Sequence, residues 1–241
     1  MSGWAIKKHK IYLASASQTR VHLLRAAGVV FDAKASPIDE EAIKQAGVAE
    51  NVPADDIAIT LAELKAQKLA SQEAGYIIGC DQLLSCEGAI FSKPRTEQEA
   101  AKHLEKLSGN THRLHNAVVV FQAGRRIWHH CSHADLTMRR LTAQEISDYL
   151  AFCGSDCLSS PGCYQIEAGG AHLFSEIKGV YYDILGLPLL PLLQFLREHG
   201  LMAIEAESGA DSGADSGVEF GVNAAWDRLW NRFWGRIWYR F

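Results

Sequence analysis

Residues 10–28 constrain the fold more than any other stretch of this sequence. Lys10-Ile11-Tyr12-Leu13-Ala14 has the apolar run of a short buried strand. Ser15-Ala16-Ser17-Gln18-Thr19-Arg20 interrupts it, and Val21-His22-Leu23-Leu24-Arg25-Ala26-Ala27 continues with helical spacing up to Gly28. A strand that feeds through a serine loop into a helix points to layered α/β architecture. It also aims loop N–H groups and the positive end of a helix at one point, an arrangement suited to phosphate. Ser15, Ser17 and Arg20 are the candidate contacts there, Arg20 through a bidentate guanidinium. No GxxxxGK[ST] run occurs, so this is not a Walker loop. A serine N-cap beside a surface arginine would read the same way.

The remaining pattern agrees with an α/β class. Val29-Val30-Phe31 reads as extended, Pro53 to Glu73 as a long helix, and Tyr76 to Asp81 as a buried strand ending on a carboxylate. Leu83–Cys86 and Ala89–Phe91 suggest a hairpin about Glu87-Gly88. Thr96 to Leu107 and Thr142 to Phe152 are expected helices, each opened by a capping box, Thr96 with Glu99 and Thr142 with Glu145. Arg113–Gln122 and Arg126–Met138 read as antiparallel strands joined at Ala123-Gly124, and Leu185 to His199 as a last helix started or kinked by its prolines. Strands and helices in alternation, with one long antiparallel pair, predict a mixed central sheet flanked by helices.

The carboxylate at the end of the Ile77-Ile78-Gly79 strand, Asp81, falls where α/β enzymes place reacting groups. Lys93 follows in Ser92-Lys93-Pro94, across the expected hairpin. Hydrolysis of a phosphoanhydride needs a carboxylate for metal or water and cations for the developing charge. Glu40, Lys65, Asp81 and Lys93 supply both, although each alone reads equally well as a solvated charge.

Composition narrows the class further. The net charge of −4 gives no global case for nucleic-acid binding, and no apolar run is long enough to cross a bilayer. The first residues lack an apolar segment behind their lysines, so a cytoplasmic protein with its six cysteines as free thiols is expected. None of those cysteines forms a CxxC pair. His129, Cys131 and His133 would share one face of a strand and could hold a metal, but any alternating surface strand looks alike.

The end of the chain has a different character. Residues 201–225 carry acids and no base, with a Ser-Gly-Ala-Asp repeat, and read as a flexible linker. Residues 226–241 repeat Trp-x-Arg-apolar four times. As a helix they would set Trp, Leu, Ile and Phe opposite Arg228, Arg232 and Arg236, a face for a membrane surface or a partner protein. Three segments are therefore expected: 1–200, 201–225 and 226–241.

The segments LASASQTRVHLLRAAG, IDEE, LAELKAQK, IIGCDQLLSCEGAIFSKP, LEKLSGNTHRLHNAVVVF and GCYQIEAGGAHLFSEIKGVYYDILGLPLLPL together resemble the Maf family of nucleoside triphosphate pyrophosphatases, over about residues 10–200. The resemblance implies a two-lobed Maf/inosine-triphosphatase-like fold. It also implies hydrolysis between the α- and β-phosphates of a nucleoside triphosphate, with a divalent metal, Mg or Mn, and it suggests a homodimer. By the same resemblance Asp81 activates water. Ser15, Ser17 and Arg20 form the phosphate-side loop, Lys65 and Lys93 bind the phosphates, and Glu40 with Asp81 contacts the metal. Many members associated with dTTP and UTP have Ala-Asp-Thr and Ile-Gln-Gly where this chain has Cys80-Asp81-Gln82 and Ile166-Glu167-Ala168. Gln82 and Glu167 look like the branch associated with 7-methyl-GTP, which would make them contacts to the base. The competing class is a non-catalytic Maf-like binding protein whose tail does the work.

Overall fold

A computed structural model describes residues 9–202. The linker and the Trp/Arg segment expected at 201–225 and 226–241 lie outside the described residues, apart from Leu201 and Met202.

Strand β1 (Ile11–Ala14) runs into helix α1 (Gln18–Ala26), as the opening pattern predicts. Ser17 caps that helix by accepting the Arg20 N–H. The short strand β2 (Asp32–Ala33) lies one residue beyond the expected extended run. Helix α2 (Glu40–Ala49) was not anticipated. None of its residues is buried, so no apolar stripe betrays it, but Asp39 caps it and Glu40 and Glu41 fill its first turn. Helix α3 (Ala54–Ala70) buries Ile57, Ala58, Leu61, Ala62, Ala66 and Leu69.

Strand β3 (Tyr76–Cys86) does not stop at Asp81 but continues through it. It is the spine of a seven-stranded mixed sheet in the order β2-β1-β3-β5-β6-β7. Here β5 is Thr111–Gln122, β6 Arg125–Met138 and β7 Phe174–Lys178. One edge of β3 is shared by two short strands: β1 pairs in parallel with Tyr76–Gly79, and β4 (Ala89–Phe91) pairs antiparallel with Leu84–Cys86. Between them Cys80 to Leu83 have no strand on that side, and Asp81 sits in this gap.

Period-two alternation assigns each face its own core. Even-numbered positions of β3 face one way: Ile78 and Cys80 meet α1 and α7 (Leu189–Glu198), while Leu84 and Cys86 meet α4 (Glu97–Leu107) and α5 (Ala143–Cys153). Odd-numbered Ile77 and Leu83 face α3. Two lobes thus share one sheet, joined by the long strands β3, β5 and β6. The last helix starts at Pro188 as its N-cap, after the four-residue α6 (Tyr181–Ile184). Thr142 and Glu145 complete a capping box. Thr96 does not: it accepts from the Glu99 N–H, but the Glu99 carboxylate accepts from Arg95 instead of reaching back to Thr96. All six cysteines are free thiols.

Candidate active site

The site begins at Gly79, where the sheet and α3 touch backbone to side chain. A Cβ at Gly79 would overlap the Ala62 carbonyl oxygen and stand 2.8 Å from the Ala66 Cβ. Glycine there lets α3 settle on β3 close enough for Lys65 to reach Asp81. The Lys65 Nζ donates to Asp81 Oδ1 at 2.5 Å and lies 2.7 Å from Glu40 Oε1, so one ammonium joins carboxylates from a strand and a second helix. Asp81 and Lys65 are both buried. Burial pushes the Asp81 carboxyl above its ordinary range, and the charges of Lys65 and Arg20 offset only part of that. For Glu40 burial also works against the charge, but the hydrogen bond and charge of Lys65, with Lys93 and Lys44 nearby, hold its carboxyl below the usual range.

Local hydrogen bonds carry Glu40 and Lys93 into place. Ser36 Oγ donates to the Lys65 carbonyl at 2.8 Å, and Lys68 donates to the Pro37 carbonyl, which lays the segment leading to Glu40 along α3. Ser92 Oγ donates to Glu41 at 2.7 Å and accepts from Lys44 at 2.9 Å, tying α2 to the Ser92-Lys93-Pro94 segment. Lys93 itself is exposed beside this network. Lys44, Glu41 and Ser92 had no place in the sequence reading; the Asp39 cap before two glutamates was the one signal that α2 would bring them in.

The serine loop closes the gap in β3 from the β1 side. Arg20 is buried, and its donors are largely committed: Nε to the Gly186 carbonyl at 2.8 Å, Nη1 to the Cys80 carbonyl at 3.0 Å and to Ser15 Oγ at 3.4 Å. It satisfies the Cys80 carbonyl, which no strand pairs on that side, and brings its charge beside Asp81. Ser15 Oγ also accepts the Ser17 N–H at 3.2 Å. The loop is thus held as a turn, with Ser17 half-buried at the helix start.

The structure gathers Glu40, Lys65, Asp81, Arg20 and Ser15, with Lys93 at the rim, while Gln82 lies on the α1 side of β3, where its Oε1 and the Arg20 guanidinium both border Gly186. Neighbours on a strand face opposite ways, and Gln82 Nε2 donates to Asn116 Oδ1 at 3.1 Å and to the carbonyls of Asp183 and Ile184 at 2.9 and 3.2 Å. Its side chain anchors α6 behind the sheet. Glu167 is exposed in a turn, close enough to half-exposed Tyr181 that its charge, after burial, helps to raise the Tyr181 hydroxyl pKa. His129 and Cys131 do not join His133 in a cluster; His133 instead meets Asp55 and His115.

A buried carboxylate and lysine in a strand gap, beside a serine loop at a helix start, form the candidate active site of this α/β fold. The family model described as Maf-like protein matches residues 10–199. The chain belongs to that family. It is 44% identical to a nucleoside triphosphate pyrophosphatase of Hyphomonas neptunium, over 78% of this chain and 94% of that one. A nucleoside triphosphate pyrophosphatase of Nitrobacter hamburgensis matches at 44%, over 85% of this chain and all of that one. A 7-methyl-GTP pyrophosphatase of Rhizobium johnstonii matches at 44%, over 79% and 96%. A solved HAM1 protein from Coxiella burnetii overlaps 55% of this chain and 74% of its own, at 16% identity and a TM-score of 0.33.

Proposed function

We propose that this chain hydrolyses the bond between the α- and β-phosphates of a nucleoside triphosphate at the Asp81–Lys65–Glu40 centre, releasing a monophosphate and pyrophosphate. Membership in the family, with relatives carrying that activity in their names, supports the reaction. The single observation that carries the site is the 2.5 Å contact of Lys65 Nζ on Asp81 in the gap of β3. Asp81, kept protonatable by burial, accepts the proton of the attacking water. Lys65 holds the Asp81 oxygen in place and, with Lys93 at the rim and the charge of Arg20 behind, stabilises negative charge on the phosphates.

Two carboxylates touching one ammonium nitrogen are near enough to share a cation, and hard oxygen donors suit Mg or Mn completed by substrate phosphates. Glu40 and Asp81 would hold that ion. When bound, it supplies Lewis-acid polarisation of the phosphoryl oxygens. The same reading includes a cytoplasmic location and a homodimer.

The base is read at Glu167. A carboxylate accepts from the ring N–H and exocyclic amine of a guanine, and it complements the positive charge that N7 methylation leaves on the ring. A relative named 7-methyl-GTP pyrophosphatase favours this base. Turnover of 7-methyl-GTP, GTP, dTTP and UTP by the full chain tests both parts. A preference for 7-methyl-GTP that falls in Glu167→Gln supports the base assignment, and a dTTP preference overturns it. Absence of pyrophosphate from every nucleotide overturns the reaction.

A further inference from the structure

On the face of the sheet that carries Asp81, but further along the strands, a second polar cluster has no part in the proposed reaction. His115 on β5 and His133 on β6 are direct cross-strand partners, with ring centroids 5.3 Å apart and planes at 85°. Asp55, in the first turn of α3, reaches down to both. Its Oδ1 lies 2.7 Å from His115 Nδ1 and 2.7 Å from His133 Nε2. Ser85 Oγ lies 2.7 Å from the other nitrogen of His115. Asp81 pairs with Ala117 and Leu83 with His115, so buried Leu83 separates this cluster from the reacting carboxylate.

We infer that Asp55, His115 and His133 form a binding site for one divalent transition-metal ion of the zinc type, separate from the Asp81 centre. Three ligand atoms from three elements all lie within 4.8 Å of one another. Two imidazoles and a carboxylate are a borderline donor set, which selects zinc, cobalt or nickel over magnesium or calcium. Tetrahedral zinc with bonds of ~2.0–2.1 Å spaces its ligand atoms at roughly 3.3 Å, so the present contacts must open by about half an ångström. The Asp55 and His133 side chains are each 40% exposed, which gives them that freedom and gives the ion a path from solvent. His115, the buried member, is oriented by Ser85: with Nδ1 on the ion, its proton moves to Nε2 and is donated to Ser85 Oγ. The neighbouring charges do not compete. Asp135, next along the same face, is engaged by Arg113 through two bonds of 2.6 and 2.8 Å, and the pair is electrically neutral. Such an ion would pin the first turn of α3 to β5 and β6, and so hold the helix from which Lys65 reaches Asp81.

The test is zinc content and thermal stability of the full chain after chelator treatment, dialysis against limiting zinc and removal of free ion. His133→Ala and Asp55→Asn alter exposed side chains, and Asp81→Asn serves as the comparison. The expected result is one equivalent of zinc fewer in each cluster variant than in the wild type, one equivalent retained in Asp81→Asn and lost when His133→Ala is added to it, and a zinc-dependent rise in Tm lost in both cluster variants. Equal zinc content in wild type and His133→Ala overturns the site. An Asp81→Asn protein that holds no zinc overturns its separateness from the catalytic centre. Neither result bears on pyrophosphate release, so the hydrolase reading stands or falls by its own assay.

Discussion

Gly79 lies against Ala62 so closely that a side-chain carbon at Gly79 would overlap the Ala62 carbonyl oxygen. This contact sets the height of α3 above β3, and both members of the Lys65–Asp81 pair sit a step away from it: Lys65 less than one turn along the helix and Asp81 two residues along the strand. Gly79→Ala is therefore expected to damage function and stability together. The helix must lift or the strand must shift, with an overpacking cost of about 1–3 kcal/mol. The Lys65–Asp81 contact lengthens with it, so kcat falls while the substrate KM changes less. Urea melts with initial rates check this; an unchanged kcat in a destabilised protein would separate the packing from the chemistry.

Lys65→Met keeps the length of the side chain and removes its charge. Asp81 then stays buried without its partner, a loss of the kind that costs about 3–5 kcal/mol. The charge of Arg20 remains nearby but makes no hydrogen bond to Asp81. Burial already raises the Asp81 carboxyl, and removing Lys65 raises it further. The variant should regain part of its stability on acidification, when Asp81 takes up a proton. Melting curves in a pH series read this directly, and a pH-independent deficit would mean that Lys65 acts by packing alone.

The sheet and the two capped ends at Ser17 and Thr142 were legible because each is a local pattern, whereas the expected strand end at Asp81 proved to be mid-strand. Helix α2 was not, since it buries no residue and shows no stripe. That Gln82 faces away from Asp81, toward α1, is already implied by its place next to Asp81 on a strand. That Asp81 lies beside an unpaired stretch in mid-strand depends on β1 and β4 leaving a gap, a property of pairing that no run of residues announces. The cluster of Asp55, His115 and His133 is further from view, because its members come from a helix and two strands. Sequence spacing drew His133 toward His129 and Cys131, while cross-strand register gave it to His115.

The capping box of α5 makes a prediction independent of chemistry. The Glu145 carboxylate accepts the Thr142 N–H at 2.7 Å, is bonded by Arg139 at 2.6 Å and accepts the Thr142 hydroxyl at 2.9 Å. Led by that backbone bond, these lower its pKa to about 2. A lowered carboxylate stabilises the fold above its unfolded value of 4.5, and the contribution is lost as pH falls toward 2. Thr142→Ala should cost about 1 kcal/mol at neutral pH. The gap from wild type should narrow as pH falls below 4.5. Parallel melts between pH 2 and 7 measure it; a constant gap would assign the effect to the lost bond from the Glu145 N–H to the Thr142 hydroxyl.

Asp81→Asn separates the catalytic role of this carboxylate from its cost. In the proposed role of acceptor of the water proton, Asp81 would contribute on the order of 10²–10⁴ to the rate, and the asparagine variant should lose that much kcat. The fold should not suffer, because Lys65 keeps Glu40 at 2.7 Å. The pH dependence fixes the sign. A carboxyl raised above its usual 3.8 binds its proton more tightly folded than unfolded, so the wild type carries no penalty below about 3.8 and loses stability as pH climbs to the folded value. The variant has no such titration, and its Tm relative to wild type should therefore rise through that window and then level off. The acid limb of wild-type kcat/KM should sit above an ordinary carboxylate's and vanish from the residual activity of the variant. A variant that keeps the same acid limb would place the titrating base elsewhere, with Glu40 next in line, although Lys65, Lys93 and Lys44 hold its carboxyl low.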